Sequence, residues 1–247
     1  MLRDKARTEE SETARGALEA LKARSSAKRA ETSAWFFKTG PGEYGEGDRF
    51  LGVCAPDLRR LAREFEGLPL AETLKLLGSP WHEARCLALL VWVRAYAKGG
   101  ASERRAIYQA YLANTDRINN WDLVDCSAEH IVGAHLEERS RSPLTKLARS
   151  RSLWERRIAI IATFRYVKRG EHGETLHIAE ILIGDSEDLI HKAVGWMLRE
   201  VGKRGGLAEE EAFLRKHCRT MPRTMLRYAI ERFDEPLRRA FLRGDVY

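Results

Sequence analysis

The sequence lacks the features of a membrane or secreted protein. It contains no run of about eighteen apolar residues, the shortest stretch expected of a membrane-spanning helix. Residues 1–30 are rich in charge and have no apolar core of a secretory signal, so we expect a cytoplasmic protein without a membrane partner. Regular alternation of apolar and polar residues, the pattern of a half-buried strand, is also absent, which favours an all-α fold.

The chain has few of the residues that bind metals or form cross-links. Its 4 cysteines lie far apart in the sequence, and no two of them form a CxxC pair. The histidines come closest as His130 with His135 and His172 with His177, and that spacing does not align two side chains on one helix face. We therefore expect no disulfide framework, no metal and no other cofactor.

The composition is that of a globular, basic protein. The 247 residues are 44% hydrophobic, which suits a domain with a proper core and argues against bulk disorder. The 43 Lys and Arg residues outnumber the 36 Asp and Glu residues, so the net charge is +7. Such an excess fits an anionic partner such as nucleic acid, and it fits a merely soluble basic protein equally well.

Helical patterns cover most of the chain and come in pairs whose second member is the more apolar. The predicted pairs are Leu70–Leu77 with Trp81–Tyr96, Glu103–Leu112 with Trp121–His135, Pro143–Ala148 with Leu153–Lys168, Glu174–Ile183 with Leu189–Lys203, and Ala208–Cys218 with Met221–Phe233. One pair cannot bury its apolar surface alone. We therefore expect the pairs to stack into a HEAT-like helical-repeat solenoid, an α-α superhelix with a concave basic groove. Residues 1–247 would form one such domain, and we expect a monomer.

The N-terminal residues 1–30 follow a different pattern. From about Thr8 to Ala30, charged residues alternate with small and apolar ones such as Ala17 and Leu21. This pattern predicts a weakly amphipathic helix that caps one end of the solenoid. Any role of this segment beyond capping stays open.

Five positions recur at matching places in the predicted second helices. They are Arg85, Asp125, Arg157, Lys192 and Arg227, spaced by 40, 32, 35 and 35 residues, the scale of a helical repeat. Four are cations, and a row of cations across a solenoid would match a phosphate backbone. The alternative is ordinary solvated charge at helix ends. Phosphate would repel Asp125, so this residue needs another explanation, either a salt bridge to a neighbouring Arg or a role in chemistry.

Three further residues accompany this row. Arg156 adds a second cation beside Arg157. Trp121 lies four residues before Asp125, and Trp196 lies four residues after Lys192, which places each indole on the same helix face as its charged neighbour. Core packing is the usual explanation of a single tryptophan. The shared face makes both tryptophans candidate site residues.

Three segments carry a resemblance to a known family: Asn119–Asp125 (NNWDLVD), Leu153–Ala159 (LWERRIA) and His191–Glu200 (HKAVGWMLRE). In this order and spacing they resemble the AlkD-type DNA alkylation repair glycosylases, single-domain stacks of HEAT-like repeats. The resemblance runs from about Trp35 to Leu242. Residues 1–30 match least well.

The resemblance implies base excision repair, by hydrolysis of the N-glycosidic bond of alkylated purines such as N7-methylguanine and N3-methyladenine in duplex DNA. In that family, the residues that match Trp121, Asp125, Arg157 and Trp196 line the lesion site. The resemblance therefore implies a catalytic role for Asp125, Trp121 and Trp196 and a phosphate contact for Arg157. It also implies that the damaged base stays within the duplex, although most enzymes that act on a base extrude it.

The chemistry agrees with the residues present. An alkylated base is cationic and leaves readily, so no general acid is required, and Asp125 could stabilise the positive charge that develops on the sugar. We expect Arg85, Lys192, Arg227 and Arg156 to bind DNA phosphates. The alternative is a non-catalytic HEAT-like scaffold that binds nucleic acid or an acidic protein, for which Asp125 has no use. A metal-dependent nuclease would need a carboxylate or His cluster that the sequence lacks.

Overall fold

The computed structural model describes residues 13–246. Regular structure within this range is helical and includes no β-strand, apart from one isolated bridge between Arg49 and Trp81. None of the helices in this range is long and apolar enough to cross a membrane. The chain divides into two compact units, Met1–Ser127 and Ala128–Tyr247, which we describe separately.

The first unit is built around one long buried helix. Its α-helices are α1 (Ala14–Lys22), α2 (Ala27–Phe36), α3 (Ala55–Glu64), α4 (Leu70–Leu77), α5 (His82–Lys98), α6 (Ala101–Ala113) and α7 (Trp121–Asp125). Most of the circumference of α5 is buried, because α3, α4, α6 and α7 pack against it. Helix α1 lies against α3, α4 and α5. The apolar stretch predicted as a second helix therefore forms the core of this unit.

The second unit shows the paired stacking that the sequence predicts. Its α-helices are α8 (Ala134–Leu136), α9 (Ser142–Ala148), α10 (Leu153–Ala162), α11 (Phe164–Val167), α12 (Gly173–Leu182), α13 (Asp188–Val201), α14 (Leu207–His217), α15 (Arg223–Ala229) and α16 (Glu235–Arg243). The first helices α9 and α12 pack on each other, and the second helices α10, α13 and α15 pack in turn. This two-layer stacking is that of a helical-repeat fold, as predicted.

The helix predicted over Trp121–His135 is not continuous. Helix α7 ends at Asp125, and helical structure resumes in a π-helical turn at Glu129–Gly133. The hydroxyl of Ser127 donates to the carbonyl of Leu123 at 2.5 Å, and such side-chain bonds compete with the helical backbone ladder. The break makes Asp125 the last residue of a five-residue helix.

Three other second helices are also shorter than predicted. The helix predicted over Met221–Phe233 spans only Arg223–Ala229 and continues as a 3-10 turn at Ile230–Arg232. The helix predicted over Leu153–Lys168 divides at Thr163, whose hydroxyl donates to the carbonyl of Ile160 at 2.7 Å. The helix predicted over Leu189–Lys203 ends at Val201 and continues as a π-helical turn. Patterns of apolar residues do not show these interruptions, because the apolar period continues across them.

The segment predicted as one helix from Thr8 to Ala30 is divided, and its residues 8–12 lie outside the described range. Helix α1 ends at Lys22, and Ser26 begins α2 as an N-cap whose hydroxyl accepts from the backbone N of Arg29. Serine is a favoured residue at this position, which explains the division. The capping role of residues 1–30 and the single domain over residues 1–247 stay predictions.

Candidate functional site

The five repeated positions keep their register in the folded chain. Asp125, Arg157, Lys192 and Arg227 are each the fifth residue of their helices, α7, α10, α13 and α15, and Arg85 is the fourth residue of α5. The correspondence inferred from sequence spacing is therefore confirmed. The surroundings of the five side chains nevertheless differ.

Helix α7 carries two candidate residues of the first unit at its two ends. Trp121 is its first residue and Asp125 its last, and both are half-buried. Asn120 caps this helix, because its Oδ1 accepts from the backbone N of Trp121 at 2.8 Å. Side chains four residues apart lie on the same face, so the indole and the carboxylate lie one turn apart on a common side of α7.

Aromatic rings from the end of α2 hold the indole of Trp121. Phe37 stacks on it with ring centroids 5.3 Å apart and planes inclined by 24°. Phe36 meets it edge-on at 5.9 Å. Phe37 also stacks on Phe50 at 5.1 Å, so Trp121 is attached to a larger aromatic cluster. Stacked and edge-on arrangements at these distances are favourable and fix the orientation of the indole.

A buried charge network holds the start of α7 to α5. His82 Nε2 lies 2.8 Å from Asp122 Oδ2, and His82 Nδ1 lies 3.0 Å from Asp48 Oδ2. Arg85 donates to the other oxygen of Asp48 at 2.5 Å, and Asn120 Nδ2 donates to Asp48 at 3.3 Å. The side chains of His82, Asp48 and Arg85 are almost completely buried. Asn120 and Asp122 of the NNWDLVD segment are thus held in place by the buried side chains of Asp48 and His82.

The network contains a protonated histidine. Burial alone would lower the pKa of His82, but its hydrogen bonds to Asp122 and Asp48 outweigh burial and raise its pKa to about 10. Burial would raise the pKa of Asp48, and the bond from His82 together with the charge of Arg85 instead brings it below its ordinary value. At neutral pH the imidazolium therefore donates from both ring nitrogens. Asp122, besides its favourable position at a helix start, is its partner.

Helix electrostatics do not explain Asp125. A carboxylate at a helix C-terminus faces the negative end of the helix dipole, which is unfavourable. Its neighbourhood includes the buried phenol of Tyr111, whose hydroxyl lies 3.0 Å from Ser127 Oγ. Burial raises the pKa of Tyr111, and the negative charge of Asp125 acts in the same direction. The carboxylate thus stands at the edge of the core.

Arg85 lies inside the first unit. Its side chain is 6% exposed, and its Nη1 donates to the carbonyl of Ser79 at 3.2 Å in addition to its ion pair with Asp48. This guanidinium ties the loop that carries Asp48 to α5. A phosphate contact of Arg85 stays a prediction, and this buried ion pair does not favour it.

The two arginines of α10 in the second unit link successive repeats. Arg157 is 5% exposed, and its Nη1 donates to the carbonyl of Leu189 in α13 at 2.6 Å. Arg156 makes a two-nitrogen ion pair with Asp185, at 2.6 Å from Nε and 3.3 Å from Nη2. Both side chains therefore have structural partners, and their DNA contacts stay predictions.

The remaining candidates of the second unit are more accessible. Lys192 is half-exposed and pairs with Asp188 one turn earlier at 2.7 Å, and Arg227 is exposed. Trp196 is half-buried, with its ring 5.8 Å from that of Phe164. Lys192 and Arg227 are therefore the cations of the predicted row that stand at the surface of this unit.

A family model for DNA alkylation repair enzymes matches residues 17–233. The chain belongs to the DNA alkylation repair enzyme family. Membership confirms the resemblance carried by the three segments on α7, α10 and α13, and it gives the protein a role as an enzyme in the repair of alkylated DNA. A comparison with curated protein sequences gives no significant match.

A solved structure shares the fold. It is described as a predicted DNA alkylation repair enzyme from Enterococcus faecalis, and it superposes with a TM-score of 0.65 at 15% sequence identity. The alignment covers 86% of this chain and 98% of that chain. At this identity the likeness supports the all-α repeat fold and says nothing about individual site residues.

Sequence reasoning missed the residues that support α7 in this family member. Phe37, Asp48 and His82 come from the end of α2, the following loop and the first residue of α5. One signal was available, a run of three aromatic residues at 35–37 directly after a charged helix. In residues 13–246, no three His, Cys, Asp or Glu side chains come together as a possible metal site.

Proposed function

We propose that the protein is a DNA glycosylase of base excision repair that hydrolyses the N-glycosidic bond of alkylated, cationic purines in duplex DNA. N7-methylguanine and N3-methyladenine are the expected substrates. The observation that carries this proposal is the carboxylate of Asp125, at the helix position where α10, α13 and α15 carry cations, on the same side of α7 as the indole of Trp121. A surface that only binds phosphate gains nothing from a carboxylate there.

Departure of the alkylated base requires little help from the protein. Alkylation of a ring nitrogen gives the purine a positive charge, so the base departs without protonation by a general acid. As the bond to the base breaks, positive charge moves onto the deoxyribose, and a water molecule then adds to the sugar. What an enzyme has to supply is negative charge beside the sugar and a position for that water.

Asp125 would supply both. A carboxylate and a cation about 4 Å apart attract each other by roughly 4 kcal/mol at an effective dielectric constant near 20. A stabilisation of that size, present only in the transition state, corresponds to about a thousandfold in rate. The half-buried position of Asp125 at the edge of the core favours such a low effective dielectric constant.

Other candidates would bind the substrate. The electron-rich face of the Trp121 indole would pack on the cationic sugar, and the stack with Phe37 would hold the ring in that orientation. Trp196 keeps the role that the family resemblance implies, packing against the deoxyribose. Lys192 and Arg227 would contact phosphates, and Arg157 would do so only with nitrogens beyond its bond to Leu189.

The deciding experiment compares excision by the natural protein with that by Asp125→Asn on duplex DNA containing N7-methylguanine. The substitution keeps the shape of the side chain and removes its charge, so the rate of base release should fall by roughly 10²–10³-fold. DNA affinity should hold or improve, because a charge that repels phosphate is gone.

A matched control is Asp116→Asn, which removes a carboxylate of the same unit whose side chain is 71% exposed and pairs with Arg117. This variant should excise at the natural rate. Normal excision per folded molecule by Asp125→Asn would refute the mechanism. Release of no base by the natural protein, with DNA still bound, would favour the non-catalytic scaffold.

A further inference from the structure

Two buried hydrogen bonds connect α6 to the end of α7. The hydroxyl of Ser127 donates to the carbonyl of Leu123 at 2.5 Å, and the phenol oxygen of Tyr111 in α6 lies 3.0 Å from Ser127 Oγ. A serine hydroxyl has one proton, which the carbonyl of Leu123 accepts, so Tyr111 is the donor to Ser127. The two bonds therefore lead from α6 through Ser127 to the backbone of α7, and we call them the Tyr111–Ser127 bridge.

The bridge explains where α7 ends. In a continued α-helix, the carbonyl of Leu123 would accept from the backbone N of Ser127, four residues later. Here the Ser127 hydroxyl donates to that carbonyl, and the backbone N of Ser127 bonds to the carbonyl of Val124 at 3.1 Å. A bond to a carbonyl only three residues back tightens the last turn of a helix. The direction in which Asp125, the last residue of α7, leaves the helix therefore depends on this turn.

Tyr111 gives the end of α7 a fixed point of attachment. Its side chain and that of Ser127 are 0% exposed, and side chains in a close-packed core hold one position. Burial raises the pKa of Tyr111, and the charge of Asp125 acts in the same direction, so the phenol keeps its proton and remains a donor. This effect of its charge also means that the carboxylate of Asp125 lies near the bridge.

Different contacts hold the two ends of α7. At its start, Asp122 bonds to His82 at 2.8 Å. Asp125 lies at the other end, where the bridge acts. A helix of about one turn does not maintain its own conformation, because too few backbone bonds offset the cost of forming it. The contacts at the start of α7 therefore do not by themselves fix the carboxylate of Asp125.

We propose that Tyr111 and Ser127 are positioning residues, which orient the carboxylate of Asp125 through the end of α7. Neither side chain would touch the substrate, because both are completely buried. The inference rests on the proposed function, in which Asp125 meets the positive charge that develops on the deoxyribose. Stabilisation of such a charge depends on groups that are held in place before the reaction, which is what the bridge supplies.

The first test measures single-turnover excision of N7-methylguanine by Tyr111→Phe and Ser127→Ala, each of which removes one hydroxyl. The rate constant at saturating protein should fall roughly 10- to 100-fold in each, because a small misplacement of a reacting group is costly. The Kd for duplex DNA should not change, since no surface group is altered. The double variant should be no slower than Ser127→Ala, because both hydroxyls act through one path.

A second buried bridge of the first unit provides a matched control. Trp92 Nε1 donates to Thr73 Oγ1 at 2.5 Å, and that hydroxyl donates to the carbonyl of Leu70 at 2.9 Å. The construction is the same, but it links α5 to α4. Thr73→Val leaves the indole N–H unpaired, as Ser127→Ala leaves the phenol unpaired, so both should lower the free energy of unfolding. Only Ser127→Ala should slow excision per folded molecule.

The second test needs no turnover. It compares the affinity for a duplex with a cationic pyrrolidine in place of the damaged nucleoside with that for a duplex with a neutral tetrahydrofuran there. The natural protein should prefer the cationic ring, because a group that stabilises the transition state also binds its charge analogue. Asp125→Asn should lose this preference, and Tyr111→Phe and Ser127→Ala should lose most of it, whereas Thr73→Val should keep it.

The two proposals can fail separately. Excision at the natural rate by folded Tyr111→Phe and Ser127→Ala, or an unchanged preference for the cationic ring in both, would overturn the positioning role and leave the glycosylase. No excision by the natural protein, with a preference for the cationic ring that both variants lose, would remove the glycosylase and keep the positioning role. A natural protein with neither excision nor preference would remove both.

Discussion

The protonated His82 should stabilise the first unit through its two carboxylate partners, and substituting it tests this. His82→Gln keeps a polar side chain of similar length and removes the positive charge that lies between Asp122 and Asp48. Removing one partner of a buried ion pair destabilises a protein by about 3–5 kcal/mol, because the remaining charge stays buried without compensation. We expect a loss near the lower end of this range at neutral pH, since Arg85 still neutralises the buried Asp48, and Asp122, which loses its partner, is 24% exposed.

The loss should depend on pH with a defined sign. The pKa of His82 is about 10 in the folded chain against 6.5 for an ordinary histidine, so the stabilisation is fully present below pH 6.5. Between these values the folded state holds one more proton than the unfolded state. The free energy of unfolding should therefore fall with rising pH by about 1.4 kcal/mol per pH unit from this group. Above about pH 10 the contribution of the charge is gone.

The assay is urea unfolding of the natural protein and His82→Gln at several pH values between 6 and 10, followed by far-UV circular dichroism. The difference in free energy between the two proteins should be largest near pH 6 and should shrink toward pH 10. Taking the difference cancels other groups that titrate in this range. A difference that stays constant across the range would show that the imidazole is neutral, and the charge network would be wrong.

Two further predictions concern the second unit. Glu210 is 2% exposed, and burial raises its pKa from 4.5 to about 8, so its ionisation destabilises the fold increasingly as the pH rises between these values. Glu210→Gln should therefore raise the free energy of unfolding at pH 9 by about 5 kcal/mol and change it little at pH 4, as measured by urea unfolding. Arg227→Ala and Lys192→Ala should each weaken duplex binding and lower the salt slope by about one unit, and unchanged slopes in fluorescence anisotropy titrations would remove both residues from the DNA interface.

The fold class could be predicted because the apolar period of the second helices is strong. The bounds of α4, predicted and observed at Leu70–Leu77, agree, and α10 and α13 begin within one residue of the predicted starts. The interruptions at Ser127 and Thr163 could not be predicted, since a hydroxyl within a helical pattern has other possible partners. Helix α16 follows the last predicted pair and was missed.

The candidate site could be predicted only where residues repeat. The register of Asp125 and Arg157 follows from the repeat spacing, but the spacing carries no information on burial. Arg85 illustrates the limit, because a cation in the right register turns out to face Asp48, a loop residue 37 positions earlier in the chain. Contacts of that range depend on how the loop after α2 folds over α5, which no periodic pattern encodes.

The charge network and aromatic stack around α7 are better explained as a means of orienting this short helix than as a source of stability. A buried charge network such as that of His82, Asp122 and Asp48 contributes little net stability compared with apolar residues of the same volume, since desolvation opposes the attraction. Its directional hydrogen bonds, however, fix a short helix that has only one turn and cannot hold its own orientation. With Phe37 stacked on Trp121, the network restrains both the indole and the turn that ends at Asp125. The proposed action of Asp125 on a sugar within an intact duplex would require that restraint, because misplacement by about 1 Å can lower a rate by about a hundredfold. His82→Gln should therefore lower the rate of excision by more than its loss of folded protein accounts for.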